Sequence, residues 1–512
     1  MNAALRGLAA NPSLPSGLLD RLIATARAGA GADAEDDTGD DLAGALAHRP
    51  GLGRAHVVAL LPIGEAVAVA LVHAGHLTAA DIDPVARPEA ALAFLDRGAG
   101  PPEWARRLAA DPDPWRRERL AACPGLPPDV VAALAADPEV EVVAELAQWT
   151  SAAVTARLAA HPHARVRQAV ACNLRTPPEV LVALLTGAGL PPVRLCADCA
   201  CGTGPPAPAH RRSGACEDGS HASVPDIVMM ALRNPGTPAG SAAAFAGHPS
   251  PALRREVAER PDLPPGVYLR LADDPAPWTR SALAANPAIG GPVIRRLAVE
   301  RDADVRRTLA RHPRLPLDVL AGLARAARIG ADLLPRVAAA SVAEVARLAA
   351  SPRPEVRVLV ARRRDLPDPV RDALAADPDA KVVGAVASHP GIGEARMHAL
   401  LDRHGRQVAA ALATNPDASP AVLERLAALD PPVRGALAGI ARHPNATAAA
   451  LTACLADRKT RCGAAAHPAL PPPVVVALLG ADEPDVREAA AANPALPVAA
   501  MEALLPGGHH PA

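Results

Sequence analysis

The sequence predicts an all-α chain, a solenoid of two-helix repeats about 26 residues long. Three observations carry that expectation. Prolines beat through the chain in alternating steps, as at Pro235, Pro249, Pro261, Pro275 and Pro287, with spacings of 14, 12, 14 and 12. Half of the 512 residues are apolar, yet there are only four Trp, two Phe and one Tyr, so Ala, Leu and Val must fill the interior and the helices must be thin and closely spaced. Fifty-seven prolines keep every helix short, and strand-like alternation of polar and apolar residues is rare, so no sheet is expected.

Each repeat has two unequal halves. One reads like His312-Pro313-Arg314-Leu315-Pro316-Leu317-Asp318-Val319-Leu320. Its second proline suits a first helical turn, where a missing N–H costs nothing, and the following apolar residues recur at helical spacing, so it is a short α-helix. The other half reads like Asp302-Ala303-Asp304-Val305-Arg306-Arg307-Thr308-Leu309 and has room for two turns, which suits a shorter or 3₁₀-like helix. A single unit cannot bury its apolar face, so units must stack.

The beat breaks in three places. Residues 31–41 gather Asp33, Glu35, Asp36, Asp37, Asp40 and Asp41 without apolar periodicity and read as a solvated loop. Residues 186–223 form a Gly/Pro-rich, cysteine-rich insertion between an N-terminal repeat region, 1–185, and a C-terminal one, 224–507, with a tail at 508–512. An extra helical insert is expected near 325–348, in its stretch from Leu333 to Leu348.

Asn11-Pro12-Ser13-Leu14-Pro15, Asn493-Pro494-Ala495-Leu496-Pro497 and Val356-Arg357, set in a strandless unit of this period, resemble the leucine-rich repeat variant family. The resemblance covers most of the chain outside the cysteine insertion. It implies a right-handed α-solenoid of alternating α and 3₁₀ helices and no enzymatic activity.

Four of the eight cysteines, Cys196, Cys199, Cys201 and Cys216, crowd into the insertion. Thiolates are soft ligands, and such a set suits tetrahedral zinc or an iron–sulfur cluster, with His210 or His221 able to replace one thiolate on zinc. The alternative is a loop of reduced cysteines. The resemblance also implies an iron–sulfur module, which in the family is N-terminal, whereas these cysteines are internal. Cys123, Cys172, Cys454 and Cys462 lie inside repeats and read as small buried hydrophobes.

Six histidines, His161, His248, His312, His389, His443 and His467, stand directly before proline, where other units carry Asn or Asp. A short polar side chain there bonds local backbone, so the position is structural rather than catalytic. An arginine recurs in the short half, at Arg117, Arg167, Arg254, Arg280, Arg306, Arg357 and Arg487. Stacking turns these into a ladder, either a stripe for an acidic peptide or phosphate backbone, or a row paired with the Asp of the preceding turn or with helix C-terminal carbonyls. The second reading is preferred because the net charge is only −1. Trp115 and Trp278 each stand two residues before this arginine, as interface anchors if exposed and gap-fillers if buried; burial is the expectation.

No nucleophile elbow, phosphate loop or metalloprotease motif is present. The start of the chain shows no export signal and no segment is apolar enough to cross a bilayer, so a cytoplasmic protein is expected. The function read from the sequence is a non-enzymatic scaffold binding a protein partner, without membrane or nucleic acid. The alternative is a metal-dependent redox or sensing protein using the Cys196–Cys216 loop; a third reading, nucleic-acid binding by the arginine stripe, predicts steep salt dependence.

Overall fold

A computed structural model describes residues 2–29, 38–193, 223–326, 330 and 332–505. These residues form short α-helices and no strand, with 3₁₀ helices at Ala79–Asp81 and Ala244–Gly247. Compact packing divides the chain into one unit of residues 79–330 and another that combines 1–78 with 331–512. The division does not fall at the cysteine-rich stretch. Within the first of these units, helix Ala164–Cys172 packs directly on Val224–Arg233, so the stack continues across residues 194–222. The four clustered cysteines, His210 and His221 lie outside the described residues.

Both halves of the repeat are mainly α-helical, and the expectation of a shorter or 3₁₀-like helix in the shorter half is corrected: Val140–Trp149 has 10 residues against 7 in Pro128–Leu134 of a longer half. Helix Pro114–Ala121 shows why. Asp113 sits in extended backbone at the N-cap and its carboxylate accepts the N–H of Trp115, while Pro114 opens the first turn. Capping relieves the orphan donors of a short helix, so even eight residues close α-type bonds. Several of the longer halves begin on proline pairs, as in Pro128–Leu134, which buries Val130 and Leu134. One other expectation needs correction. Asp40 and Asp41 belong to helix Thr38–Ala47 rather than to a loop, and Asp41 pairs with Arg6 at 3.2 Å. The stretch near Leu333–Leu348 holds two helices, Pro335–Ala338 and Val342–Ala349, the second packed on Pro354–Ala361.

In the unit of residues 79–330, the shorter-half helices follow one another as a continuous row: Pro114–Ala121, Val140–Trp149, Ala164–Cys172, Val224–Arg233, Pro251–Glu259, Pro277–Ala285 and Ala303–Leu309. Small residues let such helices approach closely. In the other unit a Cβ on Gly439 would stand 2.8 Å from the Cβ and 2.9 Å from the carbonyl oxygen of Ala413.

Two polar positions per repeat fasten this stack, where the sequence suggested one. The first precedes the longer half and holds Asn173, Asn234 and Asn286 in one unit and Asn415, Asn493 and Asn11 in the other, all buried. Each asparagine accepts the N–H two residues on and donates through Nδ2 to two carbonyls of the repeat it stacks on, the preceding one in every case but Asn11, at 2.6–3.0 Å. One of those carbonyls lies in the last turn of a helix or just beyond it, at Ala147, Ala171, Ala258, Ala387, Ala465 or Ala491, where no intrahelical donor remains. The side chain therefore caps its neighbour's helix. Arg260, Arg363 and Arg49 do the same with a guanidinium.

His312, His443 and His467 occupy this position as well. In each, Nδ1 faces the backbone N–H two residues on, which can only donate, so Nδ1 accepts and the proton sits on Nε2. Nε2 then donates to the previous repeat's carbonyl, at Asn286, Asn415 and His443. Sequence reasoning found the local bond of this position and missed the one between repeats.

The second position precedes the shorter half and holds Asp111, Asp137, His161, His248, Asp274, Glu300, Ser351 and Asp377. Its carboxylates or rings accept the N–H two residues on, as Asp137 accepts Glu139 and His248 accepts Ser250. It is the seat of the arginine ladder.

Candidate functional site

Every arginine of the ladder is engaged by the scaffold. Arg117 donates from Nη1 to the carbonyl of Asp111 at 2.8 Å and from Nε to the carboxylate of Asp137 at 2.7 Å. Arg254 repeats this with His248 and Asp274, Arg280 with Asp274 and Glu300, and Arg357 with Ser351 and Asp377. The sequence reading placed the carboxylate in the preceding turn. The structure corrects this: the preceding turn supplies its carbonyl, and the carboxylate comes from the next repeat, twenty residues on. Arg167 reaches the carbonyls of His161 and Pro191, Arg306 those of Glu300 and Arg301, and Arg487 those of Ala481 and Asp482.

These pairs are largely withdrawn from water; the Asp274 side chain is 3% exposed and Arg254 11%. Burial alone would raise the Asp274 carboxyl, but hydrogen bonds from Arg254 and from the Ala276 N–H outweigh it and hold the group below the ordinary carboxylate range. Hydrogen bonds to Asp137, Asp274 and Asp377 hold Arg117, Arg254 and Arg357 above the usual guanidinium value.

The tryptophans are different. Trp115 is 45% exposed and Trp278 56%, against the expectation of burial; each stands in the first turn of its helix, directly after the opening proline. A third exposed indole, Trp149, was not singled out from the sequence; it ends helix Val140–Trp149 and its Nε1 donates to Glu145 Oε1 at 2.7 Å. Its sequence signal was the clash between a large aromatic and the Ala-rich pattern of the core.

Beside two of these indoles lies a cleft of about 200 Å³, lined by Leu92 and Asp96 of helix Pro88–Asp96, Glu118, Arg119, Ala122, Cys123 and Glu145. Two of its four charged groups are contacted by tryptophans. The Arg119 guanidinium lies 5.2 Å from the Trp115 ring centroid, a cation–π contact, and Glu145 is held by Trp149. Three carboxylates face one guanidinium, so the cleft is net negative. Burial raises the Glu118 carboxyl, and Glu141 and Glu145 push it further the same way against Arg165, a sign that negative charge is crowded here.

The cleft's thiol is not activated. Cys123 is buried, lies 3.5 Å from the carbonyl of Arg119, and burial followed by the field of Asp96 pushes it up to about 12. Cys454 is also buried, as expected. Cys172 is only partly buried and Cys462 is exposed, which corrects the expectation that all four repeat cysteines are core residues. Cys462 sits in the short helix Arg461–Ala465 with its sulfur toward the carbonyl of Asp485 in a solvent-facing seam. Among the described residues, no cluster of His, Cys, Asp or Glu is arranged to hold a metal ion, and no helix is long and apolar enough to cross a membrane.

Fold and site together define an all-α repeat protein. No family model matches the chain, and no curated protein matches it. Among solved structures it is similar to one described as a leucine-rich repeat variant with a novel repetitive protein structural motif, at 21% sequence identity and a TM-score of 0.29, the likeness covering 50% of this chain and 85% of that one.

Proposed function

We propose that the protein is a non-enzymatic repeat scaffold that binds a protein partner, and that the partner lays a basic segment over the cleft lined by Asp96, Glu118, Arg119 and Glu145. The observation that carries this reading is the net-negative cleft, two of whose lining side chains, Arg119 and Glu145, are contacted by exposed indoles. Exposed aromatics on a rigid surface are the residues that contribute most to protein interfaces, and a carboxylate-lined hollow beside them fits a Lys or Arg side chain. The arginine ladder does not compete for this role, since its guanidiniums are already bonded within the stack.

The test is capture of short peptides of matched length and opposite charge by the full chain, followed through tryptophan fluorescence. Arginine-rich peptides are expected to bind at low salt and to lose about tenfold in affinity, or more, with Glu118→Gln and Glu145→Gln combined. Equal binding of acidic peptides, or no loss in the double variant, would contradict the reading.

A further inference from the structure

The first repeat of the chain is docked on the last. Helix Asn2–Ala10 packs along helix Pro484–Ala492 so closely that a Cβ on Gly7 would stand 2.1 Å from the carbonyl oxygen of Glu488. Arg6 Nη2 lies 3.0 Å from Glu488 Oε2, Asn11 Nδ2 donates to the carbonyls of Ala491 and Asn493 at 2.8 Å, and Ser13 Oγ donates to Pro494 at 3.1 Å. Arg49 then caps Ala9 and Asn11, so the polar ladder runs from Asn493 through Asn11 to Arg49 as though the repeats were consecutive. They are not: residues 79–330 form a unit of their own between the two pieces.

We propose that this joint is an exchange interface, at which the end face of helix Pro484–Ala492 takes the first repeat of a second copy of the chain in place of its own. The face is continuous with the interfaces between successive repeats and uses their devices, so it recognises a repeat bearing Arg6, Gly7 and Asn11, whichever chain supplies it. The two pieces are joined along the chain only through residues 79–330, so the chain's own first repeat and that of a second copy compete for the face according to their effective concentrations. Leu5, Leu8 and Ala9 of the first helix and Val486, Ala490 and Ala491 of the helix it packs on are all buried, so separation would open apolar surface on both sides. Each such apolar face has its complement on every copy of the chain, and two copies that exchange first repeats satisfy both joints and leave no open end.

The experiment uses the full chain carrying Arg6→Lys, which a carbodiimide can couple to Glu488. Copies labelled with ¹⁴N and ¹⁵N are mixed, concentrated in mild urea, returned to buffer, and separated by size before coupling and mass spectrometry. The expected result is a two-chain species in which 6–488 links join light to heavy chains in statistical proportion, and which is lost when Gly7→Leu is added. The proposal is overturned if no two-chain species forms, if its 6–488 links never mix isotopes, or if the Gly7→Leu chain, folded by circular dichroism, forms it equally well.

Discussion

Asn415→Leu is expected to lower the unfolding free energy by about 3 kcal/mol or more, while Asn415→His costs about 1 kcal/mol. The asparagine is fully buried and answers three backbone groups, the carbonyls of Ala387 and His389 and the N–H of Asp417. Leucine fills the volume but leaves all three without partners in a place water does not reach, and each unmade bond costs about 1–3 kcal/mol less whatever relaxation recovers. Histidine is the natural occupant of the same position at His443 and His467, where it accepts the local N–H and donates once to the previous repeat. It should therefore recover two of the three bonds. Urea unfolding measures the loss, and hydrogen exchange over residues 380–445 shows whether it is centred on this repeat, since repeat arrays can open in parts. A leucine variant as stable as the parent would remove the ladder from the account.

Stability is expected to fall as pH drops from about 6.5 toward 4, and His389→Asn is expected to flatten much of that slope. His389 stands in the same position as Asn415 and is 2% exposed, but Gly391, whose N–H would meet its Nδ1, donates to Asp417 instead. Nδ1 is left buried without a partner. Burial, with Arg364 and Arg371 adding to it, lowers the ring to about 4 from its ordinary 6.5. The unfolded chain binds this proton below 6.5 and the folded chain does not until about 4. Stability is thus complete above 6.5, declines through the window between the two values, and is level below it. At pH 5 the loss from this residue is about 2 kcal/mol. His312 and His161 are shifted in the same direction by burial and add to the slope. Urea midpoints at pH 7.5 and 5 for parent and variant measure it; equal slopes would show that the His389 ring is not held neutral.

The helices were legible from the proline beat because proline acts locally: it ends one helix and opens the next wherever it stands. What joins repeats was legible only in part. The arginine ladder was visible as a column of Arg, but its true partner lay twenty residues downstream. Arg117 and Asp137, Arg254 and Asp274, Arg280 and Glu300, and Arg357 and Asp377 all keep that spacing, whereas the residues twenty before His161 and His248 are Glu141 and Val228. That pattern was present and could have been found. The two proline-preceding positions were merged because Asn, His and Asp all make the same local bond, and only the stacked neighbour distinguishes an amide that donates to carbonyls from a carboxylate that receives a guanidinium. Trp115 and Trp278 were misplaced for a related reason: helical periodicity in a helix of two turns does not fix which side meets the next repeat. The cleft combines side chains of three helices, and no linear spacing marks it. Docking of the first repeat on the last was invisible for the same reason, although Asn11-Pro12-Ser13-Leu14-Pro15 and Asn493-Pro494-Ala495-Leu496-Pro497 share the motif that makes it workable.

The most direct measurement is the unfolding free energy of Asn11→Leu set beside that of Asn415→Leu. If side-chain capping between stacked repeats, and not continuity of the chain, holds the structure together, the two variants lose comparable stability, because Asn11 caps the carbonyls of Ala491 and Asn493 as Asn415 caps those of Ala387 and His389. A silent Asn11→Leu beside a damaging Asn415→Leu would contradict the account at its centre.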